Sequence, residues 1–498
     1  MGAFTQLSTV QCALYVWLVV IHAPILQGEE QSQCPSLAEN PICPCYNFKE
    51  GLFLECPSAT PGVVKNVLSK IRGSIHSLSI YDLESSTTEL QADLFPSKIK
   101  INNLQISQSG LQRISTNAFS PLRDSLGSLS IMSSKLNRIP YESFLELHHI
   151  ETLDLQLNDI KDIQAEAFKN LKLKKLILKG NKIENISENA FNNLEDSLQE
   201  LDLTENYLNV FPLETLRKLG KLNNLRLAWN RIHFIPNDTN AELPSLLTLD
   251  VNSNNFVKIE KNCFHSMTNL KTLTFFSNHI EEIDEEAFHS LEKLETVDLS
   301  RNKIINIAKN TFQRNRKIRT IDLSHNHLHH IKGVFSNLQQ LSEVFLSENN
   351  ILEVPEDAFI NAVGLTVLNL EHNAIRNLHV NCFSSLKNIT QLHMGTNFLK
   401  KLPRNIFQSN HKLVTLSLDN NKINELDELI FDKLIELKEI RLQNNKLSHI
   451  KRNVFSPLPG LQELHLQNNV IQNIDSHTFI TLRSLQHINL QGNRLTAI

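Results

Sequence analysis

Long stretches of any one kind are what this sequence lacks. With 14 glycines and 16 prolines among 498 residues, it has no Gly/Ser-rich or Pro-rich linker, and no block of like charge marks a domain boundary. A globular chain of this length would ordinarily divide into about three domains; one elongated array fits these residues better. Acids and bases are interleaved and leave a formal net charge of -4, so no basic face announces nucleic acid or anionic lipid. No hydrophobic run is long enough to span a bilayer. Catalytic signatures are missing as well: G-x-S-x-G, H-E-x-x-H and a phosphate-cradling glycine loop do not occur, and the many Asp, His and Ser residues fall into the slots of a repeat. No enzyme and no cofactor is implied.

That repeat is what the chain has in abundance. The stretch IETLDLQLNDIKDIQAEAFKNL, Ile150 to Leu171, follows the pattern L-x-x-L-x-L-x-x-N-x-I-x-x-I, then a Phe and a Leu. Its Asn158 slot is refilled by Asn181, Asn206, Asn230, Asn254, Asn278, Asn302, Asn326, Asn349, Asn373, Asn397, Asn421, Asn445, Asn469 and Asn493, and eleven of these fourteen steps are 24 residues long. Degenerate copies precede them at Ile75 to Ile80, around Ser109 and around Ser134, giving about 18 units. In LDL at Leu153 to Leu155, apolar residues alternate with polar ones, the period of a strand with one buried face. Each unit therefore contributes a short parallel strand. The recurrent Asn can satisfy backbone groups left unpaired by the bend, and Ser can do part of this. A phenylalanine slot running from Phe119 to Phe479 predicts a second spine on the far side, interrupted by Leu216 and Asn240, where a change of curvature or a protruding loop is expected. A period of this length with leucines at these offsets resembles the leucine-rich repeat. The fold expected is an α/β solenoid, a horseshoe with a parallel β-sheet on its concave face and an N-terminal disulfide cap.

Residues 1–28 read as a secretory signal peptide, with the apolar stretch Gln11 to Ile21 too short to span a membrane. Its n-region carries no Lys or Arg, and a buried N-terminal strand is the competing reading. Residues 29–74 hold Cys34, Cys43, Cys45 and Cys56; four cysteines after a signal peptide imply disulfides in an oxidising compartment, with a tetrahedral zinc site as the alternative. Spacing alone leaves the pairing open. Thr60 and Pro61 open a short helix whose Val63, Val64, Val67, Leu68 and Ile71 share the face expected to cover the first coil. The array then occupies residues 75–498. Further repeats and a C-terminal cap are expected after Ile498, because Leu485, Ile488, Leu490, Leu495 and Ile498 would otherwise leave an apolar coil edge open to water.

The binding surface of a repeat solenoid is usually its concave face. Its lining here is mostly acidic. The residues singled out for contact with an extracellular or cell-surface protein are Asp202, Arg226, Asp250, Asp298 and Asp322, together with the large apolar residues Trp229, Phe276 and Phe345, as aromatic groups on such a face tend to dominate binding. The plainer reading is a solvated face in the default wording of the repeat. HNHLHH places His325, His327, His329 and His330 around Asn326, where they could bind zinc or copper or titrate; exposed side chains with no metal are the simpler expectation. Cys263 and Cys382 fill a slot that is often Ala and read as small buried thiols. The sequons at Asn185, Asn237 and Asn388 lie outside the concave positions, so sugars there would leave that face open.

The repeats resemble the typical class found in Toll-like ectodomains, Slit, connectin and chaoptin. The cap wording CPCYNFKEGLFLECPS, followed by SLSIYDL, is similar to that of the artichoke and chaoptin-like proteins of arthropods. In the caps of such extracellular proteins the first Cys pairs with the third and the second with the fourth, which here implies Cys34–Cys45 and Cys43–Cys56. The resemblance also implies a secreted, non-enzymatic protein-binding scaffold of cell adhesion or extracellular matrix. Two other readings remain: an innate-immune pattern-recognition ectodomain, and a non-catalytic subunit of a secreted enzyme complex.

Overall fold

A computed structural model describes residues 34–35, 42–237 and 242–496. The proposed signal peptide and Asn240 lie outside them. Within them, every period-two apolar run becomes one strand of a 20-stranded sheet. Two of those strands belong to the cap. Cys45–Phe48 pairs antiparallel with Gly51–Pro57, and Gly51–Pro57 pairs parallel with Ser74–Tyr81, so the cap extends the sheet as well as covering its end. The remaining 18 strands are parallel and neighbour one another in chain order, from Ser74–Tyr81 to His487–Asn489.

The cap is closed by Cys34–Cys45 and Cys43–Cys56, the pairing that the resemblance implied. Its helix runs over Pro61–Lys70, and the hydroxyl of Thr60 accepts the N–H of Val63 at 3.2 Å. Val64, Val67 and Leu68 are buried beneath it. Helix is otherwise scarce among the described residues: single turns at Tyr141–Phe144 and Leu213–Leu216 and a 3-10 turn at Ser120–Leu122. The α share of the expected α/β solenoid is thus small. A 24-residue coil leaves the back too few residues for a full helix, and left-handed residues such as Asn170 and Asn193 break what begins. Five pairs of two-residue strands, for example Asp162–Ile163 with Asn185–Ile186, form short rails behind the sheet.

Two columns of side chains hold the coils in register. Leu153, Leu176 and Leu201 are essentially inaccessible, and burial of each such side chain contributes about 1.5–3 kcal/mol. The phenylalanines form the expected second spine: Phe264, Phe288 and Phe312 stack with centroids 5.9 and 5.5 Å apart, and Phe383 through Phe479 continue at 6.1–6.4 Å. Phe95, which the sequence pattern did not place, joins it 6.2 Å from Phe119. Where the spine is interrupted, Leu216 is buried in the one-turn helix; just beyond, where Phe264 resumes it, Phe256 meets Phe275 edge-on at 5.0 Å.

The third column is the asparagine ladder. Asn158 donates its amide to the carbonyl of Leu155 in its own coil at 3.0 Å and to Ile131 in the preceding coil at 2.8 Å, and its oxygen accepts the N–H of Leu136 at 3.2 Å. Ser109 and Ser134 bond only Ser107 and Met132, within their own coils. The residue before each ladder position is left-handed, including His325, Thr396 and Trp229. Turning the chain sharply there is what aims the Asn inward.

Candidate protein-binding face

The register of the sheet converts scattered sequence positions into one row. Asp202 lies opposite Arg226, Arg226 opposite Asp250, Asp250 opposite Thr274, Thr274 opposite Asp298, Asp298 opposite Asp322, and Asp322 opposite Phe345. Six of the eight candidate contact residues therefore stand side by side across seven strands. Beside this row runs a second, Thr248, Thr272, Thr296 and Thr320.

The aspartates of the row have a structural task. Each accepts the backbone N–H two residues on: Asp202 from Thr204 at 2.9 Å, Asp250 from Asn252 at 3.0 Å, Asp298 from Ser300 at 2.9 Å and Asp322 from Ser324 at 2.9 Å. This Asx-type bond braces the turn that follows the strand. Ser300 and Ser324 add their hydroxyls at 2.6 Å. The recurrent D-x-S wording is therefore explained by turn geometry. Burial pushes the carboxyl of Asp322 above its ordinary range, and the charge of Asp298 adds to this. Arg226 stands 3.7 Å from Asp202, a half-exposed pair worth little by itself.

The aromatic trio divides. Phe345 ends its strand and Phe276 follows its own, and both are half-covered, Phe276 lying 5.8 Å from the guanidinium of Arg301. Trp229 is not a strand residue: it occupies the left-handed position immediately before Asn230, with φ 56°. There it is 63% exposed, the most open of the three. Its assignment to the strand lining is corrected by the turn, which throws the indole out along the rim of the sheet. By a strand spacing of about 4.8 Å, five coils separate Trp229 from Phe345 by roughly 24 Å, so the trio lines a broad face and does not form one cluster.

The far end of the same row has a different character that the sequence reading did not single out. His393, Ser417, Arg441 and His465 are consecutive in register. Arg441 lies 2.5 Å from Glu439, a hydrogen bond that lifts its guanidinium above its ordinary pKa with help from Asp419 and Glu371. Glu439, Glu463 and His465 bring ligand-capable atoms within 4.8 Å of one another. The signal was a carboxylate and an imidazole recurring 24 and 26 residues apart, visible only with the register in hand. His325, His327, His329 and His330 do not converge in this way: His329 and His330 stand 6.5 Å apart by ring centroid, and inward Leu328 separates His327 from both.

Cys263 and Cys382 are free and buried, and desolvation pushes both thiols far above their ordinary pKa. All three sequon asparagines lie off the large sheet. Asn185 and Asn237 are exposed, and half-buried Asn388 donates to the carbonyl of Val363 at 2.8 Å. Among the described residues no helix is long and apolar enough to cross a membrane.

Comparison with known proteins agrees with this architecture. Residues 70–199 and 234–366, more than half of the chain, match the BspA type leucine rich repeat region, and residues 172–232, 339–399 and 435–495 match the leucine rich repeat. The chain is 33% identical over 107 residues to the human leucine-rich repeats and immunoglobulin-like domains protein 3, a match covering 22% of this chain and 9% of that protein. Matches to curated relatives span from 9% to 36% of those proteins' own length. Among solved structures, Toll in the Toll–Spatzle complex of Drosophila superposes with a TM-score of 0.72 at 17% identity, over 87% of this chain and 66% of that one. The plant peptide hormone receptor RGFR1 in complex with RGF2 superposes with a TM-score of 0.58 at 20% identity, over 90% and 71%. An asparagine ladder, a phenylalanine spine and matched repeats along more than half its length place this chain in the leucine-rich repeat family.

Proposed function

We propose that this chain is a non-enzymatic extracellular scaffold that binds a protein partner on its concave face, in cell adhesion or extracellular-matrix organisation. The observation that carries the reading is the unbroken row from Asp202 to Phe345, flanked by the exposed indole of Trp229. It is a mostly acidic surface that carries one arginine and aromatic anchors, the residue types in which binding energy concentrates. The aspartates hold the surface in shape, and Arg226, Trp229, Phe276 and Phe345 supply the contacts. Toll and RGFR1, both seen with a bound partner, support the use of this fold as a docking surface. The cap disulfides support a location outside the cytosol, and a signal peptide over residues 1–28 with glycans on Asn185, Asn237 and Asn388 belongs to the same reading. The resemblance of the cap to artichoke and chaoptin-like proteins supports the adhesive role.

The test is comparative capture from labelled cell surfaces and matrix extract. The unaltered chain, a Trp229→Ala/Phe345→Ala variant and an Ile435→Ala variant altered at an exposed site off the sheet would each serve as bait. A matrix or membrane protein held by the first and third and lost by the second is the expected result. A microbial ligand with that pattern would favour pattern recognition, and a co-purifying enzyme the accessory-subunit reading. Equal capture by all three would remove the concave face from the function.

A further inference from the structure

The flank that each coil follows just after its ladder asparagine carries a groove of ≈ 930 Å³ that the concave face does not explain. It crosses three successive coils, and Arg376, Lys400, Lys401 and Lys422 line it, with Phe398 among them and Glu425 as its one acid. All four cations are exposed. Elsewhere on this flank some cations find acids in an adjacent coil, Lys182 at 2.6 Å from Asp159 and Lys258 at 3.1 Å from Glu282, while others, such as exposed Lys303 and Lys446, stand singly without one among the described residues. In the groove none has one: among the described residues, no carboxylate lies within ion-pair distance of the four, Glu425 included. The ammonium of Lys422 instead sits 4.6 Å from the ring centroid of Phe398. In a chain of net charge -4, four unpaired like charges in one concavity repel one another and raise the local concentration of anions.

Beside its charges the groove exposes apolar surface from Phe398 and Pro403. Phe398 is 41% exposed and has its ring engaged by Lys422, and Leu378 in the lining is buried. There is no dry socket for a peptide's apolar anchor, the feature that concentrates peptide affinity. The cations are spread over three coils, about 10 Å from first to last by strand spacing, which suits a polymer that repeats its charge along its length. We propose that this groove binds a linear sulfated polysaccharide, with Arg376, Lys400, Lys401 and Lys422 donating charge-assisted hydrogen bonds to sulfate oxygens. The site is separate from the concave sheet, so a glycan here and a protein partner there are compatible. The sequon within these coils, Asn388, lies on the opposite flank, three residues before the strand Gln391–His393, and a sugar on it leaves the groove open. The proposal shares one premise with the functional reading, that the chain is outside the cell, where such polymers are.

The experiment titrates the full chain with a fluorescent heparin oligosaccharide at about 0.15 M salt. Binding is expected for the unaltered chain and a Lys309→Glu/Lys317→Glu control of equal charge change on exposed residues elsewhere. Lys400→Glu/Lys401→Glu is expected to lower affinity at least about tenfold and to flatten the salt dependence, as loss of rim charges does. A milder Arg376→Gln/Lys422→Gln pair, with an unchanged circular dichroism spectrum, should show the same loss without charge reversal. No binding by the unaltered chain, or equal losses in groove and control variants, would overturn the proposal. Polyglutamate bound as tightly as heparin, or desulfated heparin bound equally well, would overturn it too, the former in favour of an acidic peptide. Finding the chain only inside cells would defeat the extracellular reading, and the titration decides the groove independently of that.

Discussion

The side-chain amide of Asn326 donates to the carbonyl of Leu299, one coil earlier, at 3.0 Å. The same amide serves Leu323 in its own coil at 3.1 Å, and its oxygen accepts the N–H of Ile304 at 3.0 Å. The ladder therefore bonds coil to coil as well as closing turns. Asn326→Ala strands an N–H and carbonyls in a site with no water access, at about 1–3 kcal/mol for such a loss. Asn326→Ser should cost less, because Ser109 and Ser134 show that a hydroxyl can satisfy one carbonyl of its own coil. Urea denaturation of the three proteins should give the order Asn, Ser, Ala; equal losses for Ser and Ala would mean that only the inter-coil bonds matter.

Asp322 should tolerate loss of its charge better than loss of its oxygen. Asn369 and Asn489 make the same bond to the N–H two residues on, at 2.9 and 3.0 Å, without a charge. Burial raises the folded carboxyl of Asp322 above its ordinary pKa, so the folded state holds that proton more tightly than the unfolded chain. Its ionised form thus costs stability above the folded pKa, and the cost disappears below the unfolded one. Asp322→Asn is expected to match or exceed the unaltered chain at pH 7 and to lose that advantage in acid, below the carboxylate range. Asp322→Ala removes the same charge but leaves the Ser324 N–H without its acceptor, so it should be less stable than Asp322→Asn by about 1 kcal/mol at both pH values. Thermal melts at the two pH values check the sign.

The repeat was legible because its signals are local. A 24-residue period, leucines two apart and a Phe in fixed phase are properties of one coil, and every coil repeats them. The cap helix could be read from Thr60-Pro61 and its apolar face in the same way. What stayed hidden depends on two coils at once or on backbone sign. The aspartates from Asp202 to Asp322 read as an acidic patch, since nothing in composition shows that their oxygens brace turns. Trp229 was counted with the strand because a left-handed φ has no letter of its own. Asn315 and Asn410 take a slot that is Leu171 and Leu194 in other coils, and donate to Phe288, Leu291, Phe383 and Leu386; the sequence offered only an unexplained exchange. The groove at Lys400 joins residues 24 apart, and register alone brings them together.

The two free thiols among the described residues give a prediction about access. Cys263 and Cys382 are 5% and 2% exposed, in the slot that Ala118, Ala167 and Ala287 fill elsewhere without loss of burial. Burial also raises their pKa, so neither supplies thiolate at neutral pH. In a chain beginning at residue 29, which leaves out Cys12, Ellman's reagent should find no reactive thiol in the folded, unreduced protein and two after unfolding in urea. Changing either to Ala removes one buried sulfur and should cost no more than about 1 kcal/mol. Fast labelling of the folded chain would mean that the back of these coils opens readily.

Trp229 separates binding from folding more cleanly than any other residue of the face. Its left-handed backbone, φ 56°, is the conformation that Gly180 and Gly492 adopt in the same slot of other coils, at 67° and 70°. A non-glycine residue held there costs on the order of 1–3 kcal/mol, and glycine removes that strain while adding freedom to the unfolded chain, an opposing effect of about 1 kcal/mol. The exposed indole has little burial to lose. Trp229→Gly should therefore melt within a few degrees of the unaltered chain, since about 1 kcal/mol moves the midpoint of a large domain by only a few degrees. Trp229→Ala keeps the strain and should melt no higher than the Gly variant. If the indole is an anchor for the protein partner, both variants should weaken binding by at least about tenfold, the loss expected of a hot-spot aromatic. Titration of the captured partner against the three proteins distinguishes this from a structural role: weakened binding at unchanged stability assigns Trp229 to recognition, and unchanged binding removes it from the interface.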